Sequence, residues 1–131
     1  MKAISIMQPF AYLIVHGHQP VENRAWRTSY RGRLLIHASK TFASIDDSQF
    51  YDFGFDREFI DMLRSNAIPR GALVGEVDLV DCVDDSDSPW YKGPYGLELE
   101  NPLAYDKPIP YKGELDLFDV DLLSFEGGKV D

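Results

Sequence analysis

The chain predicts an α+β domain, with about five or six strands in a small barrel-like sheet and helices to one side. Three observations predict it. Short segments rich in β-branched residues recur from residue 2 to residue 120, separated by Gly and Pro. Helical spacing of apolar residues marks 9–16 and 56–66, with an aromatic-rich helical segment between them. The 131 residues are 44% hydrophobic and 13% aromatic, enough to bury one real core, and they contain no repeat or interdomain linker. One domain over 1–131 is expected.

Each element has a local reason. Residues 2–7 read as a strand. Gln8-Pro9 opens a helix over 9–16, with Pro9 in its first turn, Phe10, Leu13 and Ile14 as the buried stripe, and Gly17 as the stop. Residues 20–26 form a strand that sets Glu22, Arg24 and Trp26 on one face and Val21, Asn23 and Ala25 on the other. Arg31-Gly32 turns the chain into a strand over 33–39, where His37 and Ser39 face away from Leu34, Ile36 and Ala38. Thr41 or Ser44 caps an aromatic-rich helical segment containing Phe42, Phe50, Tyr51 and Phe53. A second helix covers 56–66, with Phe59, Ile60 and Leu63 inward. A long strand over 72–83 places Val74, Glu76 and Asp78 on one face. Residues 84–94 are loop, and 96–99 and 115–120 are strands. The connection between them carries Pro102, Pro108 and Pro110, which have no N–H to give a central strand.

Charge narrows the function. The net charge of −9 opposes long tracking along a phosphate backbone. Yet residues 1–40 hold six of the 13 basic side chains (Lys2, Arg24, Arg27, Arg31, Arg33, Lys40) and only Glu22 of the 22 acidic ones. A local basic island suits a pocket or short groove for an anionic ligand. No apolar run is long enough to span a bilayer, so no membrane partner is expected. The N-terminus lacks a signal-peptide pattern, which together with the lone Cys82 leads to the expectation of a cytoplasmic protein. Asp81, Asp84, Asp85 and Asp87 lack the ordered ligand spacing of a calcium loop, and no phosphate-loop, zinc or serine-elbow motif occurs; no metal or cofactor is expected.

The chemistry-bearing residues admit two roles each. Glu22 and Arg24 either hold a ligand or pair with each other, while Trp26 either stacks on a base, worth about 1–3 kcal/mol, or joins the core. His37 is a general acid or base, or a hydrogen-bonding strand residue. Lys40 contacts a phosphate or serves as a nucleophile. Arg27, Arg31 and Arg33 form a phosphate-gripping rim or a solvated turn. Glu76 pairs with Arg24 or His37 as an acid–base couple, or serves structure alone. Trp90, Tyr91 and Tyr95 lid the pocket or anchor their loop.

The order of these landmarks resembles the ASCH domain (activating-signal-cointegrator homology) of the PUA-like superfamily. Gly17-His18-Gln19-Pro20-Val21-Glu22-Asn23-Arg24 is similar to its G-x-K-x-x-E-x-R hallmark. Gln8-Pro9, the 30–37 segment ending in Leu34-Leu35-Ile36-His37, Gly71–Leu79, and the 93–102 and 108–120 stretches also match. The resemblance implies a PUA-like barrel and a cleft lined by Gln8, Gln19, Glu22, Arg24, Trp26, His37, Ser39, Lys40 and Glu76, rimmed by Arg31 and Arg33. Gln19 stands where family members that deacylate N4-acylated cytidine carry a catalytic lysine, and Glu22 stands where they carry a threonine. Glutamine neither acts as a base nor carries charge. The expected function is therefore binding of RNA, single-stranded nucleic acid or a modified nucleoside. The alternatives are a small hydrolase, amidohydrolase or ribonuclease, using His37, Lys40 and Glu76, and a regulatory domain that binds a protein through its acidic surface.

Overall fold

Apolar runs at the start of the chain and after Gly32, buried on both faces, form two strands that lie side by side in the computed structural model, which describes residues 1–121. The last ten residues of the expected domain, 122–131, lie outside the described residues. The elements are β1 (Lys2–Gln8), α1 (Phe10–Val15), β2 (Val21–Arg24), β3 (Gly32–Phe42), α2 (Asp47–Asp52), α3 (Arg57–Arg64), β4 (Ala72–Val83), β5 (Tyr95–Pro110) and β6 (Leu117–Asp119). They form one six-stranded mixed sheet in the order β2-β5-β4-β3-β1-β6, in which β1 runs parallel to β3 and every other pair is antiparallel. The α+β class holds. The barrel does not: β2 and β6 are unjoined edges of the strand order, so no ladder closes the sheet.

The sheet has two differently used faces. Ile4, Ile6, Leu34, Ile36, Val77, Leu79 and Leu97 project to the inner face and pack with Ala11, Ile14 and Val15 of α1 into the main core. Ala3, Leu35 and Leu73 point the other way and are covered by Phe118, Val120, Ile109 and Tyr111. A third cluster joins Leu13 of α1 to Phe50, Ile60 and Leu63 of α2 and α3. Gly75 lies between these layers: a Cβ there would meet the Leu103 carbonyl at 2.3 Å and Val15 Cγ1 at 2.7 Å, so only glycine lets α1 and β5 approach β4 this closely.

Several local expectations change. Pro9 precedes α1 as its N-cap instead of sitting inside it, and the α1 stripe is Ala11, Leu13, Ile14 and Val15, with Phe10 half-buried. Gly17 ends the helix as read: at φ +84 it lets His18 donate to the Leu13 carbonyl at 2.8 Å while its own N–H reaches Ile14 O at 3.1 Å. Thr41 and Phe42 belong to β3, and the cap of α2 is Asp46, which exchanges hydrogen bonds with Gln49 in a capping box. The proline-bearing connection is strand after all. β2 covers only Tyr95–Glu98 of β5, so Pro102, Pro108 and Pro110 fall on an uncovered edge and beside register shifts, where a missing N–H breaks no ladder. A bulge between the His37–Leu73 and Ile36–Gly75 pairs sends Val74 to the inner core, separating it from Glu76 and Asp78.

Candidate nucleic-acid interface

Parallel pairing sets Ser5 of β1 directly beside His37 of β3. Both belong to the outer face, and the next outward residue of β3, Ser39, follows the same alternation. Around them Ser5, His37, Ser39, Lys40, Gly71 and the segment 111–115 enclose a cleft of about 680 Å³. His37 is 2% exposed and fully engaged. Its Nε2 donates to the Tyr111 carbonyl at 2.6 Å, and because a carbonyl only accepts, that nitrogen carries the proton. Nδ1 is left to accept from the Ser5 hydroxyl at 2.9 Å. Burial pushes the imidazole below its usual range, against a smaller opposing effect of the Tyr111 hydrogen bond, so His37 is neutral at pH 7.

The cations of the cleft are the uncommitted ones. The stem of Lys40 lies across Gly71, whose φ of +68 and missing side chain make room for it, and its ammonium has no carboxylate partner among the described residues. The same holds for Lys112, which lines the cleft, and for Arg70 beside it, whose guanidinium sits over the Phe42 ring at 5.2 Å. One carboxylate, Glu114, also lines the cleft.

The predicted arginine rim is neutralised instead. Arg31 faces Asp81 at 3.4 Å and bonds the Thr28 and Tyr30 carbonyls. Arg27 faces Asp84 at 3.5 Å. Arg33 is held by Glu76 at 2.8 Å, Asp78 at 3.1 Å and the Asn101 carbonyl at 2.8 Å. The second oxygen of Glu76 accepts from the Tyr105 hydroxyl at 2.7 Å, and burial, reinforced by that bond, drives the phenol well above its ordinary range. Glu76 thus pairs with neither Arg24 nor His37. The register that aligns it with Leu35 puts it beside Arg33 on the outer face, where both of its oxygens are taken.

Glu22, Arg24 and Trp26 do assemble, but at the inner mouth of the sheet and apart from the cleft. Glu22 shares the inward register of Leu97 and pairs with Arg24 at 3.0 Å; burial outweighs that attraction and raises its carboxyl to about 7. Arg24 reaches across to the Ser5 carbonyl at 2.9 Å, linking edge strand β2 to β1, and lies 5.9 Å over Trp26, which packs on the main core. Arg24 Nε and Gln19 Oε1 are buried without a partner. The other amide group of Gln19 donates to the Val21 carbonyl at 2.9 Å. Gln8 is structural: fully buried, it bonds the Pro69 carbonyl and the Tyr12 N–H, tying β1 to α1 and to the 69–71 turn. Trp90 stacks on Phe53 at 3.7 Å, and Tyr91 bonds the Pro94 carbonyl at 2.8 Å, so these two anchor their loop; Arg27 lies 5.0 Å over Tyr95. The expected single cleft is therefore two sites meeting at Ser5, whose hydroxyl serves one and whose carbonyl serves the other. Ser5, Lys112 and Gly113 carry no sequence signal beyond Ser5 being the polar residue between Ile4 and Ile6, because strand partnership and a loop folding back are invisible in a single chain.

The ASCH domain family profile matches residues 4–126. Activating signal cointegrator 1 of Homo sapiens is 31% identical over 140 residues, covering 96% of this chain and 23% of the relative; its Mus musculus counterpart is 29% identical with the same coverage. The chain thus spans about a quarter of the length of these relatives. Among solved structures, a tyrosine-to-phenylalanine mutant of the Zymomonas mobilis ASCH protein superposes with a TM-score of 0.57 over 92% of this chain and 90% of that one, at 15% identity. Another structure of the Zymomonas mobilis ASCH protein gives 0.54 over 92% and 87%, also at 15% identity.

Proposed function

The chain belongs to the ASCH domain family, a family associated with RNA binding, and on that premise we propose that it binds single-stranded RNA at the outer-face cleft. One observation carries the reading: in a chain of net charge −9, Lys40 and Lys112 line one cleft without carboxylate partners among the described residues, and Arg70, likewise without one, precedes the cleft residue Gly71. Lys40, Lys112 and Arg70 contact phosphates, which pre-neutralised arginines do with less gain. Ser39 and the cleft wall receive the sugar and base, and the volume of about 680 Å³ suits a nucleotide. The Glu22–Arg24 pair acts as a latch that holds β2 against β1 and so fixes Ser5.

Fluorescence anisotropy with a short labelled single-stranded RNA tests the reading. Saturable binding at low salt that weakens linearly in log–log form as salt rises is expected, with a slope near −0.7 per phosphate contacted. Absence of binding at low salt contradicts it.

A further inference from the structure

The Ser5–His37 contact is built with more care than an oligonucleotide site requires. The Ser5 hydroxyl donates to the unprotonated Nδ1 of His37 at 2.9 Å, and the opposite ring nitrogen is fixed by the Tyr111 carbonyl at 2.6 Å. A hydroxyl, a base within hydrogen-bond reach, and a third group that sets the tautomer are the parts of an activated nucleophile. The pair lines the cleft of about 680 Å³, and Ser5 itself is only half-buried. Gly113 is pressed onto it: a Cβ there would lie 2.7 Å from His37 Cε1 and 2.8 Å from Ser5 Oγ, so the loop backbone passes over the pair in a way only glycine permits. The Gly113 N–H has no partner among the described residues. With Lys40 it is a donor that the cleft can offer to a developing oxyanion.

We propose that Ser5 and His37 form a nucleophile–base pair that hydrolyses small anionic carboxylic esters in this cleft. Ser5 Oγ bonds to the acyl carbon as its proton passes to His37 Nδ1. The carbonyl electron pair moves onto oxygen and returns as the ester C–O bond breaks, and the departing alkoxide takes the proton from His37. Water then attacks the acyl-Ser5 ester with His37 again as base, releasing a carboxylic acid and restoring the serine hydroxyl. Lys40 and Lys112 select substrates bearing a negative charge elsewhere. The inference shares those cations with the RNA reading but does not depend on RNA being a ligand.

The test is labelling of the full chain with a fluorophosphonate, the modified residue located by peptide mass, alongside turnover of 4-nitrophenyl acetate and the mono-4-nitrophenyl ester of succinate. The expected results are modification at Ser5, loss of labelling in Ser5→Ala, at least a hundredfold slower labelling in His37→Gln, and a lower KM for the anionic ester that rises in Lys40→Ala. Labelling of the wild-type chain falls with acid through one group titrating below the ordinary histidine range. Unmodified Ser5 in wild type overturns the proposal without reference to any variant, and so does labelling unaffected by His37→Gln. RNA binding measured on the same wild-type sample separates failure of this proposal from failure of the RNA reading.

Discussion

At the residue scale, partners decide what an arginine near the hallmark is used for. Arg33 meets Glu76, Asp78 and the Asn101 carbonyl, and is spent on structure. Arg33→Ala should lower stability by about 1 kcal/mol, since solvent screens a side chain that is 29% exposed, while leaving RNA affinity unchanged; denaturant melts and anisotropy check the two halves. Glu22 is the more informative test. Its carboxyl is raised from 4.5 to about 7 by burial, so the folded state holds a proton that the unfolded chain has already lost. Its contribution is complete below pH 4.5, and stability declines as pH climbs from there to about 7. Glu22→Gln removes that decline. The melting temperature of the variant relative to wild type should therefore rise between pH 5 and pH 8, by the equivalent of up to about 3 kcal/mol. A relative stability that falls over the same range would mean the Arg24 attraction outweighs burial.

At the element scale, packing between α1, β4 and β5 hangs on Gly75. The atoms that a Cβ would strike include the Leu103 carbonyl and the β-carbon of Val15, neither of which can rotate away. Gly75→Ala should cost about 3 kcal/mol or more, seen as a large drop in denaturation midpoint; a shift below about 0.5 kcal/mol would refute this packing. This is also the scale at which the sequence was most legible. The alternation in 33–39 correctly set His37 and Ser39 opposite Leu34, Ile36 and Ala38, and Gly17 was readable as a helix stop because φ +84 suits it. Misreadings came where one element overrode a local rule. The prolines of β5 are compatible with a strand because β2 is only four residues long and leaves their edge uncovered. A one-residue bulge broke the expected face shared by Val74 and Glu76, and no single-chain pattern announces a bulge.

At the scale of the whole molecule, one open sheet brings together residues far apart in the chain, and that explains why the site was only partly legible. Counting charges located a basic island in the first 40 residues, but the count could not tell paired cations from free ones, and its four arginines are paired. The acids that neutralise Arg27, Arg31 and Arg33 come from β4 and the stretch just after it, some 43 to 57 positions later in the chain. The second cation of the cleft, Lys112, comes from the segment after β5, and Arg70 stands next to the cleft residue Gly71. Family resemblance supplied the fold and the RNA expectation; the topology supplied the division of one imagined cleft into an inner latch and an outer site. An acidic remainder of the surface repels nucleic acid, so the proposed RNA binding at the cleft predicts a short footprint of a few nucleotides.

The measurement that bears most directly on this account compares salt-dependent RNA affinity in two double variants. Lys40→Ala with Lys112→Ala should weaken binding at low salt at least tenfold and flatten the salt slope by about 1.4, or 0.7 for each lost phosphate contact, whereas Arg31→Ala with Arg33→Ala should leave the slope unchanged. If the arginine pair changes the slope and the lysine pair does not, the ligand lies at the turn and the cleft is not the interface.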